Sequence, residues 1–360
     1  MSNCASEVFF GTYTAGIADN PGIWRSVFDA ASGTLSTPEP AAETEQPSWL
    51  LFSPDGRLLY AANETEEFRE AEGGSVTVFR LRRDGTLRRS STVASGGVAP
   101  CHLSLSGDGH LLFATNYGGT VTVLPLDAFG LPSPAAQQFE HEGSGPLKDR
   151  QASAHPHSAV PAPNGKFIHV PDLGADRVYV YEKLGDRLEQ RPDLQLQAPA
   201  GSGPRHLAWH PDGSSAYLTC ELSSTLLHLA PETEEPGRFH INGEYSTLPT
   251  GVDTDNWPAE VAVHPRGHAL YVSNRGHDSL AVFQLAADGT PELTEVVPGG
   301  VQFPRHFALS PCGNWLLAGG QHDGRVTVLR VLEDGSLEPT GNSAEVPAVA
   351  SIAFRPGAGS

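Results

Sequence analysis

The chain is short of lysine, of cysteine and of charge. Only three of its 23 basic residues are lysine (Lys148, Lys166, Lys183), so 20 are arginine. Against 42 acidic residues this leaves a formal charge of −19, which repels phosphate backbones and anionic lipid. Nonspecific nucleic-acid and membrane-surface binding are therefore not expected. Four cysteines (Cys4, Cys101, Cys220, Cys312) stand far apart with no Cys-x-x-Cys pair. That argues against a disulfide framework and for reduced thiols in the cytoplasm. The opening MSNCASEVFFGTYTAG lacks the basic and apolar segments of a secretory signal, and no run approaches the ~18 apolar residues of a membrane span. Gly-x-Ser-x-Gly, His-Glu-x-x-His and phosphate-loop motifs are missing too.

Glycine and proline, by contrast, are abundant: 39 and 30 residues, about a fifth of the chain against a usual ~12%. Proline removes a helix donor and interior glycine costs about 1 kcal/mol, so an all-α fold is excluded and short strands with tight turns are expected. A repeat supports this. PSWLLFSPDGRLLYAANE from Pro47 recurs from Pro100, Pro156, Pro204, Pro258 and Pro304, and a seventh copy from Pro347 is cut short. Each copy reads as two strands around a Pro-Asp-Gly-type turn, then a third such as SVTVFRL and a fourth such as DGTLRRSSTV. Four strands in about 40–55 residues match a propeller blade. The chain starts with what reads as a second strand and ends with a first. The expected fold is all-β: a single domain over residues 1–360, a seven-bladed β-propeller closed by pairing of its terminal strands. The inserts 65–74, 139–155 and 231–256 are expected to be surface loops.

In a propeller, one column of the repeat becomes a ring around the axis. The residue after the opening proline reads Ser48, Cys101, His157, Arg205, Ala259, Arg305, Ala348, and the next reads Trp49, His102, Ser158, His206, Glu260, His306, Val349. At the end of the second strand stand Glu64, Tyr117, Leu173, Glu221, Arg275 and Gln321, preceded by Asn63, Asn116, Asp172, Cys220, Asn274 and Gly320. Antiparallel pairing sets these columns side by side on one face, next to the channel. Three arginines there (Arg205, Arg275, Arg305) suit an anionic ligand, which guanidinium binds bidentately. Plainer roles stand beside this one. Arg205 and Glu221 suit a structural ion pair, His206 and His306 suit scaffold, and the Asn/Asp column suits the tying-off of strand ends. His155-Pro-His157 and the Asn/Asp ring are weak as metal sites, and no metal or cofactor is expected.

The segments PHSAVPAPNGKFIHVPDLGADRV, GSGPRHLAWHPDGSSAYLTCELSST, YVSNRGHDSLAVF and PRHFALSPCGNWLLAGGQ resemble the lactonase family of seven-bladed propellers. That family includes propeller-type 6-phosphogluconolactonase and carboxy-cis,cis-muconate cyclase. The resemblance implies a catalytic set of His157, Arg205, Glu221 and Arg275, with Arg305 as a substrate contact. His206, His306, Gln321 and Asn274 complete the expected substrate-binding residues. It implies a lactonase for a small anionic sugar lactone, foremost 6-phosphogluconolactone in the pentose phosphate pathway. The protein is expected to act in the cytoplasm as a monomer or weak homo-oligomer. Lactonisation of a muconate-type diacid, hydrolysis of an unphosphorylated aldonic or uronic lactone, and an interaction scaffold are the alternatives. His157 or Glu221 is the expected base and water the nucleophile.

Overall fold

The computed structural model describes residues 5–357. Seven sheets of four or five antiparallel strands account for almost all regular structure, as a seven-bladed β-propeller requires, and a two-stranded ribbon lies outside them. Closure follows the expected route. Val349–Phe354 forms the inner strand of a blade whose second strand is Ala5–Thr12, with Val8 opposite Phe354 and Phe10 opposite Ile352. Among the described residues this pairing closes the ring of blades.

The repeat is explained by its turn and its seam. Between the first two strands of six of the blades, Gly56, Gly109, Gly165, Gly213, Gly267 and Gly313 all adopt φ between 64° and 76°, a conformation that strains side-chain-bearing residues. Apolar side chains of facing blades interlock into clusters such as Tyr271, Val282, Phe307 and Leu316. One position of the second strand also crosses the seam by hydrogen bond. Tyr60, Tyr217 and Tyr271 donate to the carbonyls of Gly130, Gly289 and Gly335 at 2.7–2.8 Å. His169, at the same repeat position, reaches Gly237 O at 2.9 Å.

The opening proline of six inner strands pairs with one column of the repeat: Pro47 with Asn63, Pro100 with Asn116, Pro156 with Asp172, Pro258 with Asn274, Pro204 with Cys220 and Pro304 with Gly320. Directly after it the register shifts in five of these strands, leaving the next residue outside the ladder. Such bulges re-aim a side chain, and here the residues re-aimed include Arg205 and Arg305. The inserts need correction. Segment 65–74 holds the ribbon Glu67–Phe68 with Ala71–Glu72. Segment 231–256 supplies an outer strand, Phe239–Ser246. Segment 139–155 begins in the strand Gln137–Glu140 and continues through a short helix, Lys148–Gln151, whose Gln151 is fully buried.

Candidate active site

Glu221 is the centre of the charged cluster. Pro204 opposite Cys220 sets Arg205 and Glu221 side by side at the mouth of the channel. Arg205 Nε donates to Glu221 Oε2 at 3.0 Å, and Arg275 Nη2 lies 2.6 Å from the same oxygen. Arg150, from the short helix, donates through Nη2 to Oε1 at 2.6 Å. Arg275 is held further by Trp257 O at 3.0 Å and by the face of Phe303. Burial alone would raise the Glu221 carboxyl, but Arg275, Arg205, His157 and Arg150 outweigh it and hold it well below the usual range. Burial, reinforced by Arg275 and Arg305, pulls Arg205 down to about 9, so it stays cationic at neutral pH.

His157 faces this cluster from an inner strand that is regular only at Val160–Pro161. Its imidazole packs edge-on against Tyr117 and His206 at 5.6 and 5.2 Å, with Nδ1 3.9 Å from Cys101 Sγ. Burial, then Arg205, pushes its pKa well below 6.5, so the ring is neutral at working pH. Arg205 Nη1 is buried without a hydrogen-bond partner. The cluster therefore combines a neutral imidazole, a fixed carboxylate and a free cationic donor. Burial pushes the Cys101 thiol up to about 12, which removes the nearest sulfur as a nucleophile.

A second group surrounds Arg305. Its Nη2 is 3.6 Å from Glu64 Oε2, its guanidinium lies over the Tyr13 ring, and Tyr13 donates to Glu64 at 2.9 Å. A third group lies one residue further along the inner strands, away from the mouth. There the ring of Trp49 packs against His102, His206 and His306 at 4.3–5.4 Å and His102 against His206 at 5.6 Å, with Glu260 beside His206.

His157, Arg205, Glu221 and Arg275 are thus brought together, with Arg305 facing the same channel. Two expected substrate contacts need correction. The Asn274 amide donates to Thr247 O and Ser279 Oγ and accepts from Asn256, so it ties off a strand end instead. His306 accepts Ile352 N at Nδ1 and turns Nε2 toward Glu260, so both nitrogens are engaged. His206 has one nitrogen engaged, and Gln321 has a buried, unpartnered Oε1. The other members of the Asn/Asp ring are occupied likewise. Asn63 bonds Thr44 and Thr77, Asn116 bonds Ser95 O and Thr120, and Asp172 bonds His141 and two backbone amides. His155 stacks on Tyr117 and bonds its carbonyl. Among the described residues no group of three or more His, Cys, Asp or Glu is arranged to hold a metal ion.

Arg150 is the member of the cluster that the repeat could not reveal, because it belongs to an insert outside the repeated columns. Its signal is an arginine a few residues ahead of His155-Pro-His157 in the insert leading to that blade. A surface cleft of about 830 Å³, along Ile17–Asn20, Asp323–Arg325 and Ser343–Pro347, contains none of these side chains.

Residues 7–354 match the family described as lactonase, seven-bladed β-propeller. A 6-phosphogluconolactonase of Bacillus subtilis is 29% identical over 96% of this chain and 97% of its own. Among solved structures, the periplasmic gluconolactonase of Pseudomonas aeruginosa superposes with a TM-score of 0.91 at 34% identity, covering 98% and 99% of the two chains. A protein from Lactobacillus plantarum gives 0.88 at 30% identity, covering 97% and 99%.

Proposed function

The chain belongs to the lactonase family of seven-bladed β-propellers, and on that premise we propose that it hydrolyses 6-phosphogluconolactone at the Glu221 cluster. The observation that carries the reading is the neutral, buried His157 beside the unpartnered Nη1 of Arg205. The lactone carbonyl oxygen takes the free donor of Arg205, with Arg275 close by, and these cations stabilise the charge that develops as water adds. His157 accepts the water's proton and returns it to the ring oxygen as the acyl C–O bond breaks. Lactone plus water becomes the hydroxy acid, with atoms and charge balanced. Glu221 is a poor base because both of its carboxylate oxygens are already engaged by arginines. It fixes the guanidinium groups instead, so His157 takes the role that sequence alone divided between them.

Support for a phosphorylated substrate comes from the Bacillus relative and from Arg150. Its side chain is 40% exposed while that of Arg205 is 2% exposed, so Arg150 can turn from Glu221 to an entering phosphate. Arg305, the substrate contact implied by the resemblance, is covered by Glu64 and Tyr13 and is the weaker candidate for the phosphate. That covering is also what favours a second reading, an unphosphorylated gluconolactone, as the name of the Pseudomonas structure suggests for that protein. The first reading assigns the chain to the pentose phosphate pathway. Its place in the cytoplasm rests on cysteine usage: Cys101, Cys220 and Cys312 are free thiols, and Cys4 lies outside the described residues.

The test is hydrolysis of freshly made 6-phosphogluconolactone and of glucono-δ-lactone, above the spontaneous rates, with and without chelator. The reading requires chelator-resistant turnover and a larger kcat/KM for the phosphorylated lactone. A preference for the neutral lactone moves the assignment to the second reading.

A further inference from the structure

A buried acid and a buried nitrogen that the mechanism does not use belong to the same pair. Around the channel, His102 and His306 each accept a backbone N–H of the neighbouring blade at Nδ1, from Ala159 at 3.4 Å and Ile352 at 3.3 Å. These bonds fix their protons on Nε2. His206 occupies the same repeat position but lacks that backbone partner. Its Nδ1 faces Glu260 Oε2 at 3.0 Å, while Glu260 Oε1 accepts Val261 N at 3.2 Å. His206 Nε2 is buried with no partner, and the ring packs edge-on against His157 at 5.2 Å.

We propose that Glu260 is a positioning residue for lactone opening, acting through His206: its carboxyl sets whether the Nε2 beside His157 carries a proton. Protonated Glu260 donates to Nδ1, which leaves the proton on Nε2 and makes that atom a donor. Ionised Glu260 accepts from Nδ1–H, which leaves Nε2 bare. The pair exchanges one proton and no heavy-atom bond changes. Neighbouring groups set the balance. Burial raises Glu260 to about 8, with Arg205 and the Val261 N–H pulling it back. Burial, Arg205, His157, His102 and His306 all keep His206 from becoming cationic. The donor form thus prevails at neutral pH, and the acceptor form takes over above pH 8.

The inference rests on the lactonase reading for its catalytic consequence, and two measurements separate them. In the first, kcat on 6-phosphogluconolactone is followed from pH 6.5 to 9 after subtraction of spontaneous hydrolysis. Wild type should lose rate above pH 8, roughly tenfold by pH 9 for loss of one required proton. Glu260→Gln, whose amide always presents N–H to Nδ1, should show no such fall, with KM unchanged. In the second, side-chain ¹⁵N shifts of His206 are read over the same range. Wild type should exchange the protonated nitrogen near pH 8 and Glu260→Gln should not. A Glu260→Gln profile that parallels wild type, or His206 shifts that stay constant in wild type, overturns the proposal. If no lactone is turned over, the ¹⁵N result alone decides whether Glu260 controls His206, and the failure belongs to the substrate reading.

Discussion

Glu221 and Glu260 line the same channel, are both buried, and hold protons oppositely. Three arginines surround Glu221 and keep it ionised, whereas Glu260 faces two imidazoles with Arg205 as its charged neighbour and rises to about 8. Burial acts on both in the same direction, so it cannot be the source of the contrast. The number and distance of cationic partners decide. The mouth of the channel is consequently a charged layer with fixed geometry. The layer beneath is nearly neutral and able to exchange protons.

Removing each acid should therefore have unlike consequences. Glu221→Ala leaves Arg205 and Arg275 buried without their counter-ion and should destabilise the fold by about 3–5 kcal/mol, seen as a lower midpoint in urea. Glu260→Gln replaces a carboxyl that already carries its proton at neutral pH, and its midpoint should stay close to wild type. Equal losses in the two variants would break the contrast.

The inner layer should also respond to acid. His102 and His306 are lowered to about 3, by burial first and then by Arg205. Between that value and the unfolded value near 6.5 the native state binds fewer protons than the unfolded chain, so stability falls as pH drops below 6.5. Glu260 has the opposite sign: from its unfolded value near 4.5 up to about 8 the native state keeps a proton that the unfolded chain releases. Its contribution therefore weakens as pH rises through that window. Thermal midpoints from pH 4 to 9 should fall on the acid side in both proteins, and on the alkaline side less in Glu260→Gln than in wild type.

The smallest effect is expected at the rim. Arg150→Ala should raise KM for the phosphorylated lactone about tenfold, the scale of one charge-assisted hydrogen bond, and leave KM for glucono-δ-lactone nearly unchanged. Equal shifts for both substrates would assign Arg150 to Glu221 alone.

The blades and their closure were legible because every copy must repeat the same turn and seam, and the turn glycine survives in all six complete copies, from Gly56 to Gly313. Columns of the repeat likewise singled out Arg205, Glu221, Arg275 and His157, since charged or imidazole side chains there replace Ser, Ala or Leu at matched positions. What the columns hid were side chains placed by tertiary contact. Arg150 comes from an insert with no repeat position, and of the two roles offered for Asn274 its partners Thr247, Ser279 and Asn256 favour the tying-off of a strand end over substrate contact. His206 and His306 read alike, yet they differ because His306 accepts Ile352 N at Nδ1 while that nitrogen of His206 meets Glu260.

The most direct test is the hydrolysis of 6-phosphogluconolactone at pH 6.5 by wild type and by folded His157→Gln. The account predicts clear acceleration by wild type and a loss of about 10²–10⁴-fold in the variant, the usual worth of a positioned acid–base group. A folded variant within a few-fold of wild type would contradict it and return the proton transfer to another residue.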